Sequence, residues 1–173
     1  NENGEIFSQC TNLDTNTLWK LKGIRLLLLD SDVLTDEGTK PIGFLPNLED
    51  IALNSPKVTD RTINSIICLN KLTALSLSGT AITDRGAQAL ESLPQLKVLD
   101  LSYTNVTGNS IESFSRLHEL LELRLRGTSI GEGRLKPLSG LKNMELLDVR
   151  DTGVSDGDIA ELMAVLPKLK VVH

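Results

Sequence analysis

The sequence predicts an α/β solenoid of six full repeats plus caps, in which stacked parallel strands form one sheet and helices line its other side. Three observations support this prediction. Apolar residues recur with a period of 24, each unit opens with the apolar spacing of a strand, and each unit then changes to the wider spacing of a helix. The stretch Leu72–Leu93, LTALSLSGTAITDRGAQALESL, shows both spacings within one unit.

Five positions of the 24-residue unit are apolar in all six repeats. The first position holds Ile24, Leu48, Leu72, Leu96, Leu120 and Met144. The fourth position holds Leu27, Ile51, Leu75, Leu99, Leu123 and Leu147. The sixth, eleventh and nineteenth positions are equally apolar. Because alternate residues of a strand point to opposite sides, the fourth and sixth positions should be buried, while the third, fifth and seventh should face away from the core.

The predicted organisation begins with an N-terminal capping half-repeat at residues 1–23, a segment that is otherwise irregular. Leu18 and Leu21 stand where the helical leucines of a preceding repeat would stand, and Trp19 should cover the open end of the core. Six repeats follow at residues 24–47, 48–71, 72–95, 96–119, 120–143 and 144–168. Residues 169–173 are predicted to pair as a terminal strand.

The turns that leave the predicted strands carry polar residues at fixed positions. The ninth position holds Thr80, Thr104, Thr128 and Thr152, whose hydroxyls can bond backbone that the sheet no longer pairs. Just before the helical spacing come Thr35-Asp36, Thr59-Asp60, Thr83-Asp84 and Ser155-Asp156. We interpret these pairs as helix N-caps with an acid in the first turn. A calcium site is the alternative, but one acid per repeat is not the clustered oxygen set that Ca²⁺ requires.

Two parts of the chain depart from the repeat. Asp32 and Pro56 replace the ninth-position Thr, so the turns of the first two repeats should be less regular. In the fifth repeat Gly131-Glu132-Gly133 replaces the Thr-Asp pair, and Pro137 lies inside the expected helix. We therefore predict a poorly formed or 3₁₀ helix there, with local mobility.

The pattern LxxLxLxxTxITDxGxxxLxxLxxL resembles the leucine-rich repeat family, in a 24-residue variant with Thr where the common form has Asn or Cys. The resemblance covers residues 24–173. It implies an arc with the parallel sheet on the concave side and the helices on the convex side. A similarity to bacterial surface or periplasmic binding proteins of this family favours a cell-envelope or periplasmic setting.

Composition disfavours several classes of protein. A net charge of −5 argues against a surface built for nucleic acid. No apolar run approaches the roughly 18 residues of a membrane-spanning helix, so we expect no membrane insertion. Cys10 and Cys68 are too few for a disulfide scaffold, and we expect both thiols to be free. We also expect a monomer.

The chain offers little for catalysis. His118 and His173 are its only histidines, and the repeat places no Ser or Cys beside either of them. No P-loop, Gly-rich dinucleotide fingerprint or CxxC motif occurs. The sequence therefore predicts a protein that is not an enzyme, with no catalytic residue, cofactor or metal site.

The residues that the repeat leaves free lie on the outward face of the strands. In the first three repeats they are mainly small or apolar, and in repeats four to six they become charged, with Asp151 beside them. The predicted partner-binding residues are Asp100, Tyr103, Glu122, Arg124, Arg126, Asp148 and Arg150. Because neighbouring strands lie about 4.8 Å apart, these side chains should form one patch.

Two interpretations of this patch stay open. Opposite charges on adjacent strands, as in a row Asp100–Arg124–Asp148, would pair with each other and only keep the sheet soluble. Alternatively, Arg and Tyr are residue types that commonly anchor protein partners. Six or seven strands give a face roughly 30 Å long, enough for a standard interface.

Our functional prediction is a non-enzymatic module that recognises a protein or peptide through the concave sheet face. The alternative is a structural or targeting module attached to a catalytic or signalling domain in a longer parent protein, because the sequence starts at Asn1 rather than Met. A substrate receptor of a ubiquitin-ligase type is a third alternative, disfavoured because related repeats of that type carry Cys where this chain has Thr.

Overall fold

The computed structural model describes residues 5–8 and 23–173, with side chains from residue 23 onward. Within these residues one parallel sheet contains eight strands in chain order, each hydrogen-bonded to the next. The strands are β1 Glu5–Ser8, β2 Leu26–Asp30, β3 Asp50–Asn54, β4 Ala74–Ser76, β5 Val98–Asp100, β6 Glu122–Arg124, β7 Leu146–Asp148 and β8 Lys170–Val172. A parallel sheet in which every strand lies beside its sequence neighbours is the topology of a solenoid, as the sequence predicts.

The register of the sheet follows the 24-residue period from β2 to β8. One aligned row consists of Leu27, Ile51, Leu75, Leu99, Leu123, Leu147 and Val171. The five apolar columns of the sequence are buried, except that Val154 is only partly buried. Burying one such side chain stabilises the fold by about 1.5–3 kcal/mol, so these columns are the main source of stability.

Short helices cover one side of the sheet. They are α1 Asp36–Thr39, α2 Asp60–Ile66, α3 Asp84–Ala89, α4 Ile111–Phe114 and α5 Asp156–Val165. Turns of 3₁₀ helix cover Lys40–Phe44, Leu90–Ser92, Gly108–Ser110 and Lys136–Gly140. The nineteenth-position side chains, from Ile42 to Leu162, belong to the same buried core as the strand leucines. The sheet surface opposite the helices is the concave face.

Threonine hydroxyls hold the turn that follows each strand in repeats three to six. Thr80 donates to the carbonyl oxygen of Leu77 at 2.6 Å, and Thr104 donates to that of Leu101 at the same distance. Thr128 and Thr152 make the equivalent bond. The hydroxyls therefore satisfy backbone that has left the sheet, as predicted.

The turns of the first two repeats differ, which was also predicted. β2 and β3 extend to the seventh position of the repeat, two residues further than the later strands. In the second repeat the Ser55 hydroxyl makes a different bond, donating to the carbonyl oxygen of Leu34 in the preceding repeat at 2.7 Å. Later repeats instead have a left-handed residue at the eighth position, namely Gly79, Tyr103, Gly127 and Asp151.

Side-chain caps begin most of the helices. The hydroxyl oxygens of Thr59, Thr83, Thr107 and Ser155 accept a backbone N–H from the first turn that follows. Ser155 and Asp158 form a reciprocal capping box. Thr35 has the extended backbone of an N-cap but makes no such bond, so the predicted cap is wrong for its side chain.

The aspartates that follow these caps also connect neighbouring repeats. Asp84 accepts the backbone N–H of Thr107 at 2.7 Å and its hydroxyl at 2.6 Å. Asp60 likewise accepts the backbone N–H of Thr83 at 2.8 Å and its hydroxyl at 2.6 Å. We call the pairs Asp36–Thr59, Asp60–Thr83 and Asp84–Thr107 the carboxylate clamps. From the sequence these acids were assigned only to their own helices, and the bonds between repeats were not predicted.

The carboxylate clamps stop at the fifth repeat. Gly108 stands where the next aspartate would be, and a Cβ atom there would lie 2.4 Å from the carbonyl oxygen of Ile130. From the sixth repeat Asp158 reaches back to the backbone N–H of Gly133 at 3.0 Å. The helix of the fifth repeat is the 3₁₀ segment Lys136–Gly140, so that prediction is confirmed, and the local mobility stays a prediction.

The N-terminal segment contains a strand that was not predicted from the sequence. β1 pairs in parallel with residues Leu26 to Leu29 of β2, so the expectation of an irregular segment is wrong for residues 5–8. The paired residues are fewer than 24 positions apart, and the period therefore gave no signal there. The predicted capping residues Leu18, Trp19 and Leu21, together with Cys10, lie outside the described residues.

Candidate protein-interaction face

The concave face changes character along the solenoid. On β2 to β4 it presents mainly aliphatic or small side chains, among them Leu26, Leu28, Ala52, Ala74 and Ser76. On β5 to β7 and the turns that follow, the structure brings the seven predicted residues together on one face. We call Asp100, Tyr103, Glu122, Arg124, Arg126, Asp148, Arg150 and Asp151 the charged patch.

Three ion pairs join the arginines of the charged patch to its acids. Within the part of the chain that the structure describes, they are Arg124–Glu122 at 2.5 Å, Arg126–Asp151 at 3.2 Å and Arg150–Asp148 at 2.6 Å. The three arginine side chains are 38–42% exposed, so each pair contributes at most about 1 kcal/mol to stability. These contacts orient the three guanidinium groups on the concave face.

The predicted pairing along the row Asp100–Arg124–Asp148 is wrong. The backbone register does align these residues. However, Arg124 turns to Glu122 on its own strand, and Asp100 accepts the backbone N–H of Ser102 at 2.9 Å. A short carboxylate at the end of a strand satisfies the N–H two residues ahead more readily than it reaches across to the next strand.

Asp148 is the buried member of the charged patch. Only 6% of its surface is exposed, and Arg150 donates to it through Nε at 3.0 Å, Nη2 at 2.6 Å and the backbone N–H at 3.2 Å. Hydrogen bonding from the Arg150 side chain outweighs burial and holds the pKa of Asp148 below its ordinary value. We therefore interpret Asp148 as the residue that positions Arg150.

Tyr103 has an unusual conformation and an exposed ring. Its φ is 56°, in the left-handed region, and 54% of the residue is exposed. The ring lies against Gly127, where a Cβ atom would come within 2.6 Å of Tyr103 Cδ1. The Arg126 guanidinium carbon lies 5.6 Å from the ring centroid, within the range of a cation–π contact. The flanking repeats have Gly79 and Gly127 at the same position, where the conformation has no steric cost.

Asp50 is an exception within the aliphatic part of the concave face, and it was not predicted as a site residue. It lies on β3 in register with Leu26 and Ala74, and it is partly buried. Its carboxylate has no hydrogen bond or ion pair among the described residues, and burial raises its pKa. The available signal was that Asp50 is the only acid among the third positions of the first four repeats.

Other surfaces offer less for binding. A groove of about 230 Å³ between α2 and α3 is lined by Asp60, Arg61, Asn64, Arg85, Gly86 and Ala89. Asp60 already belongs to a carboxylate clamp there. Among the described residues, no group of three or more His, Cys, Asp or Glu side chains is arranged to hold a metal ion. None of the helices described here has the length and apolar content to cross a membrane.

Comparisons with known proteins agree with this architecture. Residues 70–130 match the sequence model of the leucine rich repeat family. No curated protein matches the sequence significantly. Many solved structures are similar to this chain. Three that are similar along most of it are all less than 25% identical, so the likeness shows the fold alone.

Two of these structures are from Listeria monocytogenes. The internalin InlF has 20% identity and a TM-score of 0.58, over 93% of this chain and 57% of that one. Internalin C2 has 23% identity and a TM-score of 0.71, over 92% of this chain and 65% of that one. A leucine-rich-repeat protein of Leptospira interrogans has 23% identity and a TM-score of 0.73, over 97% of this chain and 40% of that one. The chain thus spans less than two thirds of each of these structures.

Proposed function

Since this chain folds as a leucine-rich-repeat solenoid, we propose that it is a non-enzymatic module that recognises a protein or peptide through its concave face. Solenoids of this kind commonly use their extended concave surfaces for binding. The charged patch would contribute the specific contacts.

Tyr103 is the observation that carries this proposal. A left-handed backbone costs a bulky residue about 1–2 kcal/mol, and the repeats on either side avoid that cost with glycine. The ring gains little burial in return, because 54% of the residue is exposed. A strained residue kept on an open surface is typical of a binding site, and tyrosine is one of the residue types that dominate protein interfaces.

The rest of the charged patch supports the same proposal. Arg126 stacks near Tyr103 and is held by Asp151, while Arg150 is held by Asp148. Arginines that are already fixed lose less side-chain entropy when a partner binds. The strands from β2 to β8 span roughly 30 Å, which accommodates a standard interface of about 800 Å² per partner.

The test is affinity capture followed by a binding measurement with the purified captured protein. The double variant Arg124→Glu/Arg126→Glu should weaken binding at least roughly tenfold, because it replaces two cations at the centre of the patch. The matched control is Arg61→Glu/Arg85→Glu, which makes the same charge change at two exposed residues on α2 and α3. Circular dichroism should show that both variants remain folded.

Two results would contradict the proposal. Full binding by the concave double variant would exclude the charged patch. Loss of binding only in the convex control would move the interaction to the helices.

A second candidate function is a structural or targeting module within a longer protein. It is favoured by the lengths of the similar solved structures, of which this chain spans 40–65%. Reading the gene on both sides of the repeats tests it. An adjoining catalytic or signalling domain would support this candidate, and the absence of any such domain would contradict it.

A further inference from the structure

We propose that Asp50 receives a cationic side chain, lysine or arginine, from the bound protein or peptide, while its aliphatic neighbours hold the apolar stem of that side chain. The inference rests on the proposed function and adds the chemical class of the partner. It concerns the part of the concave face that lies before the charged patch.

The position of Asp50 supports this proposal. Leu26 on β2 and Ala74 on β4 are its aligned neighbours on either side. Ala52 projects from the same face two residues further along β3, and Val98 continues the row on β5. Strands about 4.8 Å apart place these side chains within contact of one extended aliphatic chain. The carboxylate therefore lies within an aliphatic surface.

Asp50 also differs from the acids of the charged patch in having no partner among the described residues. Asp100 accepts the backbone N–H of Ser102, while Glu122 and Asp148 each accept an arginine of the charged patch. Among the described residues, no donor reaches the Asp50 carboxylate. A partly buried carboxylate without a donor disfavours the folded state. A group of this kind on a binding surface indicates that its partner is supplied by the ligand.

The chemistry of the surroundings selects the ligand group. An ammonium or guanidinium would relieve the effect of burial on the carboxylate, because an opposite charge favours the ionised form. Lysine and arginine also carry three or four methylene groups that pack on apolar surface while the charged end makes its own contacts. An acidic ligand side chain would instead be repelled, and an aliphatic one would leave the carboxylate unpaired.

The experiment uses the wild-type chain and blocked peptide sublibraries. Each sublibrary of N-acetylated, C-amidated octapeptides has one residue fixed at a central position and mixed residues elsewhere, and binding is measured by fluorescence polarisation. The lysine or arginine sublibrary should bind roughly tenfold or more better than the glutamine and norleucine sublibraries. In Asp50→Asn this preference should disappear.

Asp30→Asn is the matched control. Asp30 lies at the end of β2 and carries the same charge, but it is exposed rather than surrounded by aliphatic side chains. This variant should keep the preference for basic residues within about threefold. The thermal unfolding midpoints of both variants should stay at or above the wild-type value, which shows that a lost preference does not come from unfolding.

Three outcomes would overturn the proposal: no preference among the sublibraries, a preference that survives in Asp50→Asn, or no binding by any sublibrary. The captured partner can also be tested against both variants. If Arg124→Glu/Arg126→Glu abolishes its binding and Asp50→Asn leaves that binding unchanged, only this inference is contradicted. The proposed function would then remain supported.

Discussion

Removing the carboxylate of Asp36 should destabilise the fold by about 2–4 kcal/mol. Asp36 accepts the backbone N–H of Thr59 at 2.8 Å, the hydroxyl of Thr59 at 2.7 Å and the hydroxyl of Thr62 at 2.7 Å. Hydrogen bonds to a charged group contribute about 1.5–3 kcal/mol each when they are isolated. In Asp36→Ala, water reaches the partly exposed N–H of Thr59, and Thr62 keeps the hydroxyl of Thr39 at 2.8 Å, so the loss is smaller than the sum.

The same clamp makes stability depend on pH. Burial acts to raise the pKa of Asp36, but hydrogen bonds from Thr59 and Thr62 outweigh it, and the pKa lies below its ordinary value. The stabilisation is therefore complete above the unfolded-state pKa of about 3.9, and it is lost as the pH falls through the lower folded-state pKa. Between about pH 5 and pH 2, the wild type should lose stability more steeply than Asp36→Ala.

Urea unfolding followed by circular dichroism at pH 7 and at several lower pH values is the assay. Asp32→Ala is the matched control, since Asp32 is an exposed acid in the turn just before α1. The control should change the free energy of unfolding by less than about 0.5 kcal/mol. If Asp36→Ala behaved like the control at pH 7, or kept the wild-type pH dependence, the clamp would not stabilise the stack as described.

Three further predictions concern single residues. Gly108→Ala should lower the free energy of unfolding, measured in urea, by about 2 kcal/mol or more, because the added Cβ would lie 2.4 Å from a backbone carbonyl oxygen. Gly140→Ala is the control and should be tolerated, since a Cβ there has no neighbouring atom within 4 Å. Thr104→Val removes the hydroxyl donated to Leu101 and should lower the free energy of unfolding by about 1 kcal/mol, and an unchanged midpoint would contradict the role of that bond. Asp50→Asn should raise the thermal midpoint at pH 7, because a raised folded-state pKa means that the ionised carboxylate opposes folding. This gain should vanish below the unfolded-state pKa, and a variant that is less stable at pH 7 would refute the reasoning.

The fold was predictable because its signals are local. Alternation along each strand, as in Leu27 and Leu29, and the 24-residue period together determine which side chains are buried. β1 was not predictable in the same way, since its pairing with β2 departs from that period. The carboxylate clamps were missed for a different reason. Asp84 and Thr107 belong to different repeats, and their bond depends on how the turns stack in space.

The candidate site was predictable only in part. The register showed which side chains share a face, so the members of the charged patch were found together. It did not show which groups pair, because rotamers and nearby backbone donors decide whether Asp100 turns to Ser102 or to another strand. Nor did it show the left-handed backbone of Tyr103, where a side chain occupies a glycine position.

The interrupted series of clamps has a consequence for how the molecule responds to mechanical force. Tension applied along the solenoid loads the contacts between successive repeats in series, and the junction with the fewest strong bonds gives way first. Repeats one to four are joined by carboxylate clamps, and Asp158 joins the sixth repeat to Gly133 of the fifth. Between the fourth and fifth, Gly108 offers no carboxylate. In optical tweezers we expect the stack to part there first, into two mechanically separate blocks.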